Sequence, residues 1–291
     1  MSMDLTSINN YNEYYSNHYF SSIFEDNAAE TISAWRSRAK ESDEFRTPWS
    51  RLRDNSRQYY SVHDKYQRLR GENLALPMIQ DMADRYLESL GFQAPNPVSV
   101  VTAAGIDIPV YLEINKASGA PLLWVLLAHT QERDTNIMQG YCFNAVNLND
   151  DNGDEVTSTA LANEELATKI LFTMPEPPRW LLFIGLNQIA LIDRNKWNEK
   201  RYLLFDLEEI FSRREETTLQ AMAVLLHKES LCPDEGNPLL DKLDENSHRH
   251  ASGVSQDLKY ALRECIELLG NEVLNDLAHR QGRDLDADPV D

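Results

Sequence analysis

The stretch Pro178–Phe211, PRWLLFIGLNQIALIDRNKWNEKRYLLFDLEEIF, decides how this chain is to be read. Trp180, Leu182 and Ile184 share one face of an extended run, and Leu181, Phe183 and Gly185 share the other. Both faces are apolar, which predicts a strand covered on both sides, as at the centre of an α/β or α+β sheet. Asn187-Gln188 predicts a turn into Ile189–Ile192, and Asp193-Arg194-Asn195 a second turn before Arg201–Phe205. Asp206 stands before Leu207 with Glu209 three residues on, so a carboxylate cap with a reciprocal acid starts a helix there.

Before this meander the periodicity is helical. The first dozen residues are polar and read as frayed. From Tyr14 the aromatic spacing turns helical, and Ala28–Ala39 carries Ile32 and Trp35 on one side. Arg46-Thr47-Pro48 breaks the pattern, and a third helix holding Trp49, Leu52, Val62 and Tyr66 stops at Gly71. Ile79, Met82, Ala83, Tyr86, Leu87 and Leu90 then define a helix from Pro77, closed by Gly91. Pro95 and Pro97 mark a boundary.

Val98–Val101, Ile108–Ile114 and the apolar run Pro121–Ala128 (PLLWVLLA) predict three strands, and Thr130–Thr159 a long polar loop. The loop's DDNGD core does not make a calcium site. With Gly153 at the sixth position, the first and twelfth positions are Leu148 and Thr159, which supply no carboxylate. Leu161–Leu171 and Thr217–Leu231 read as helices around the meander. A last helix over Gln256–Leu277, capped by Ser255, carries the stripe Leu258, Leu262, Ile266, Leu269, Val273 and Leu277, and an acidic tail follows. The pattern is α+β: a helical region over 1–92, a mixed sheet with flanking helices over 93–231, and a C-terminal helix and tail over 232–291.

The chain has 291 residues, 42% of them hydrophobic, enough for a sizeable core. No run approaches a membrane span and the first residues lack a signal core, so the expectation is a cytoplasmic protein with no membrane partner. Cys142, Cys232 and Cys265 have no CxxC company, which speaks against a disulfide framework or a zinc site. A net charge of -19 opposes nucleic-acid binding by the whole surface. Arg51, Arg53, Arg57, Arg68 and Arg70, interleaved with Trp49, Tyr59, Tyr60 and Tyr66, leave one local patch open to it. The hairpin tip with Arg194, Lys196 and Trp197 is a second such candidate.

Two runs carry a family likeness: PRWLLFIGLNQIALIDRNKWNEKRYLLFDLEEIF, and SLCPDEGNPLLDKLDENSHRHASGVSQDLKYALRECIELLGNE from Ser230 to Glu272. With YYSNHYFSSIF, RTPWSRLR and PLLWVLLA, they resemble the N-terminal region of large bacterial type IIG-like restriction-modification and phage-defence DNA methylases. The resemblance implies a PD-(D/E)XK-like nuclease module ahead of a methylase, with DNA and a DNA methyltransferase domain or subunit as partners. It also implies Mg²⁺ if the nuclease is active.

The chain departs from that pattern. Asn96-Pro97-Val98 and Asn237-Pro238-Leu239 lack the second proline and the aromatic of an amino-methyltransferase loop, so the chain is not a methyltransferase on its own. No GxxxxGK[ST] loop occurs. A nuclease of this kind needs an acid on one strand and Glu-x-Lys on the next, so that two carboxylates hold the metal and lysine orients water. Asp107, Glu113 and Lys116 are the candidates, with ExxK spacing, and the following strand has Leu127, Ala128 and His129 where an acid belongs. His248-Arg249-His250 lacks a second ligand cluster and reads as a loop before the last helix. The alternative function is a protein-interaction scaffold that docks a methylase or defence partner through the final helix and tail.

Overall fold

The computed structural model describes residues 3–68, 72–93, 99–130, 135–143, 146–147 and 161–281, in two compact units, Met1–Asp244 and Glu245–Asp291. The first unit opens with a short strand, β1 (Ile8–Tyr11), and four helices: α1 (Asn17–Ser22), α2 (Phe24–Glu41), α3 (Pro48–Arg68) and α4 (Glu72–Ser89). Strands β2 (Ser99–Ala103), β3 (Ile106–Val110), β4 (Leu112–Asn115) and β5 (Pro121–His129) follow, then β6 (Tyr141–Cys142), β7 (Val146–Asn147) and α5 (Asn163–Lys169). The meander is β8 (Trp180–Ile184), β9 (Gln188–Asp193) and β10 (Tyr202–Asp206), after which come α6 (Leu207–Arg213), α7 (Glu216–Leu226) and α8 (Lys228–Leu231). The last helix, α9 (Leu239–Gln281), starts in the first unit, and its residues from Glu245 on form the described part of the second. Among the described residues no helix is long and apolar enough to cross a membrane.

The main sheet runs β1–β10–β9–β8–β5–β4, with β6 on the far end of β5. All pairs are antiparallel except β5 with β8, which run parallel. The link between those two strands includes α5, as a parallel connection requires. The alternation read from the sequence separates two cores. Trp180, Leu182, Ile184, Leu123, Val125 and Leu127 face a cluster with α2, α3, α4, α6 and α7. Leu181, Phe183, Trp124, Leu126 and Ala128 face a second cluster with α5 and the small β2–β3–β7 sheet. Helical region and sheet therefore share one apolar core, and the fold is α+β.

Several local expectations give way to tertiary pairing. The N-terminus is not frayed at Ile8, which is buried and pairs with Phe205 as β1 joins the edge of β10. Ile108–Ile114 is not one strand. The chain turns at Tyr111, whose N–H donates to Val125 O (2.8 Å) and whose hydroxyl donates to Asp84 Oδ1 (2.6 Å), so that β3 and β4 enter different sheets. Pro77 sits inside α4 rather than at its first position; this removes one N–H from the ladder without ending the helix.

At the meander, the first turn lies over Gly185–Asn187, closed by Gly185 N–H to Gln188 O at 2.9 Å. The second is a 3₁₀ turn over Arg194–Glu199. Asp206 caps α6 through Oδ1, which accepts the Glu209 N–H at 3.0 Å. Its own N–H donates to Ser7 O instead of to Glu209, so the residue just ahead of β1 replaces the reciprocal half of the expected cap. The last helix begins at Leu239, not Gln256, so Ser255 and His248–His250 are helix interior. The DDNGD segment and the tail beyond Gln281 lie outside the described residues.

Candidate functional site

The first unit holds an open cleft of about 950 Å³. One wall is β4 and the turn after it, Tyr111–Ala117; the other is formed by Arg179, Lys228, the Cys232–Asp234 turn and Asp241. Pairing of β4 with β5 sets Glu113 opposite Trp124, whose Nε1–H donates to Glu113 Oε1 at 3.3 Å. The following turn is closed by Lys116 N–H to Ala120 O and Gly119 N–H to Lys116 O, both 2.8 Å, with Gly119 at φ 87°. This leaves the Lys116 side chain exposed at the rim.

The charges of the opposite wall are engaged. Arg179 donates to Asp241 through Nη1 at 3.0 Å and through Nη2, pairs with Asp193 at 3.3 Å, and covers the Trp180 ring at 4.3 Å. Burial works against the guanidinium, but the hydrogen bonds and charges of Asp241 and Asp193 outweigh it and raise its pKa. Asp193, only 3% exposed, shifts upward because burial outweighs the same arginine. Each Asp193 oxygen has a donor, Arg179 on one side and the Asn195 N–H on the other. Lys228 pairs with Asp234 at 2.9 Å. Burial pushes the Cys232 thiol up to about 12, so it rests protonated and is a poor nucleophile.

The proposed nuclease residues are only partly brought together. Glu113 and Lys116 share the cleft, whereas Asp107 lies on β3 in the other sheet, opposite Thr102, whose hydroxyl donates to it. Leu127 is a buried core residue beside Ile184. Among the described residues no three His, Cys, Asp or Glu side chains group to hold a metal. With Asp107 in the other sheet and Leu127 in the core, Glu113 has no second carboxylate from these candidates, and the set does not fit a magnesium ion. His248 and His250, two apart on a helix, point to different faces and cannot chelate one ion.

The basic candidates divide similarly. Lys196 is internal, its side chain 9% exposed; Nζ pairs with Asp244, donates to Tyr14 O at 2.7 Å and lies 4.2 Å over the Tyr14 ring. Burial lowers its pKa and the Asp244 pairing opposes that. It anchors the N-terminal segment to the meander and is not presented to a phosphate. Arg194 donates to Pro177 O at 2.8 Å, and half-buried Arg51 donates to Glu88 O at 3.1 Å in the last turn of α4. Arg53, Arg57 and Arg68 on α3 are exposed, and Arg70 lies outside the described residues. Nothing local in the chain marks Arg179, whose importance comes from two aspartates 14 and 62 residues away.

Comparison with family models, curated proteins and solved structures finds no match to this chain.

Proposed function

We propose that this chain is a non-cleaving, DNA-engaging module of a restriction-modification or phage-defence DNA methylase system. The observation that carries the reading is the β4–β5–α5–β8 arrangement. An antiparallel pair is followed by a helix and a parallel strand, the layout expected of a nuclease-like module, with Leu127 where such a module needs a carboxylate. The shape is kept and the metal chemistry is not. Methyl transfer belongs to a methyltransferase domain or subunit, since this chain lacks the catalytic proline loop. Duplex DNA is engaged through the exposed arginines of α3, while the acidic remainder of the surface confines contact to that patch.

The test is fluorescence anisotropy with a labelled duplex across a salt series, beside a magnesium cleavage assay. Binding should weaken steeply with salt, by a log–log slope of about 0.9 per phosphate contacted. Arg53→Glu with Arg57→Glu should lower affinity at least tenfold. No cleavage should appear, and Glu113→Ala and Lys116→Ala should leave binding unchanged. Undetectable binding at low salt would overturn the proposal; cleavage abolished by Glu113→Ala would overturn the non-cleaving part.

A further inference from the structure

β4 ends the main sheet: it pairs with β5 on one side, and among the described residues no strand follows it on the other. In an antiparallel ladder alternate residues turn their N–H and C=O toward the partner, so the remaining residues of β4 turn theirs away from β5. None of these outward groups has a partner among the described residues. The cleft lies along this edge. A cavity over one face of a strand meets every second residue, whereas every residue from 110 to 117 lines this one. The edge is also straight. The irregularity in the β4–β5 pair falls on β5, where Ile114 faces Leu123 and Asn115 faces Pro121, so β4 carries no bulge to turn a further strand away. An open edge with room beside it takes an extended chain, which supplies the matching backbone donors and acceptors.

The charges along the cleft select which chain fits. On the far wall Arg179 is held by Asp193 and Asp241, and Lys228 by Asp234, so that wall offers no spare cation to a phosphate. On β4, by contrast, Glu113 uses one oxygen to accept the Trp124 Nε1–H and keeps the other free, and the Lys116 ammonium has no partner among the described residues. Leu112 and Ile114 are half-buried against the helical core. Residues directly opposite each other on paired strands share a face, and opposite charges there attract. Antiparallel pairing is the more stable per residue. A chain so laid sets apolar residues beside Leu112 and Ile114, a basic residue beside Glu113 and an acidic one beside Lys116. Read from its own N-terminus it is acidic, any, apolar, basic, apolar.

We propose that the cleft binds an extended peptide of this pattern, added antiparallel to the free edge of β4. The site is separate from the α3 arginines, and the proposal is independent of DNA engagement through them.

Fluorescence anisotropy of the full chain with a labelled ten-residue peptide tests it. The probe has a lysine between two valines, with a glutamate three residues ahead of the lysine. Saturable binding is expected. Glu113→Lys with Lys116→Glu should weaken it roughly fivefold or more, and that variant should prefer the peptide with lysine and glutamate exchanged. Both positions are exposed, so the urea transition should not move. N-methylation of every second peptide residue should abolish binding in one register and spare it in the other, because alternate amides face β4. Arg53→Glu with Arg57→Glu should leave peptide affinity unchanged, which separates this outcome from that of the DNA test. Absence of binding, a preference that does not follow the exchanged charges, or equal binding of both methylated peptides would each overturn the proposal. So would sedimentation showing that the peptide binds only by dissociating a dimer of the chain, which would give the edge to a second copy.

Discussion

Lowering the pH should destabilise the first unit through one histidine. His227 is 4% exposed, and its Nδ1 accepts the Glu229 N–H at 3.2 Å, capping α8. Its ring lies 4.8 Å from that of Trp35. With Nδ1 accepting, the neutral ring carries its proton on Nε2, and a second proton would have nowhere to go without losing the cap. Burial lowers its pKa from 6.5 to about 4; Arg51, Arg38 and Lys228 act in the same direction, and Glu229 opposes them.

Between those limits the unfolded chain binds a proton that the folded chain refuses. Stability is therefore fully present above the unfolded value and is lost as the pH falls toward the folded one. At about 1.4 kcal/mol per unit, the loss approaches 3 kcal/mol over the whole interval and is about 2 kcal/mol by pH 5. Hydrogen bonds from Arg38 and Trp35 hold the Glu229 carboxyl below its ordinary value despite burial, so it adds its own loss only at lower pH, in the same direction. Protonation of surface acids relieves the repulsion of a chain at net charge -19 and works the other way. The measurement is thus a comparison with His227→Asn, which keeps a capping oxygen and does not titrate. Urea unfolding followed by tryptophan fluorescence suits it, because all five tryptophans lie in the first unit. Wild type should lose about 2 kcal/mol more than the variant between pH 7.5 and pH 5. Equal losses would refute the argument.

The same ring constrains Gly91, which ends α4 at φ 81° with Phe92 N–H to Leu87 O at 2.9 Å. A Cβ there would meet His227 Nε2 at 2.6 Å. Gly91→Ala should cost about 2–4 kcal/mol, of which 1–2 is left-handed strain. A double-mutant cycle with His227→Ala should return the steric part and leave the strain. Lys196→Met should cost about 2–3 kcal/mol by removing the half-buried ion pair with Asp244 and the hydrogen bond to Tyr14 O. It should not change duplex affinity, whereas an equal fall in affinity would mean that Lys196 contacts DNA.

How much was legible depended on how local its cause is. The meander is local: apolar residues on both faces of Trp180–Ile184 require cover on both sides, and the two clusters supply it. Gly91 and Asp206 are also local, one a left-handed stop and the other a carboxylate on an N–H three residues away. The candidate site was legible only in outline. Glu113 and Lys116 stand close in sequence and share the cleft, but Asp107 left them at the bend of Tyr111, which is set by Val125 and Asp84 on other elements. Lys196 has the sequence look of a hairpin tip and is internal because Asp244 and Tyr14, remote in the chain, meet it.

By itself the sequence determined periodicity, caps and stops, and with them the central strands, most helices and the absence of a carboxylate at Leu127. Only the tertiary structure decided that Ile8–Tyr11 extends the sheet, that residues 106–115 serve two sheets, and which arginines and lysines are free to meet a ligand. The physical reason is that a backbone period is written within a few residues. Strand edges and the burial of a charge depend on partners that the chain delivers from far away.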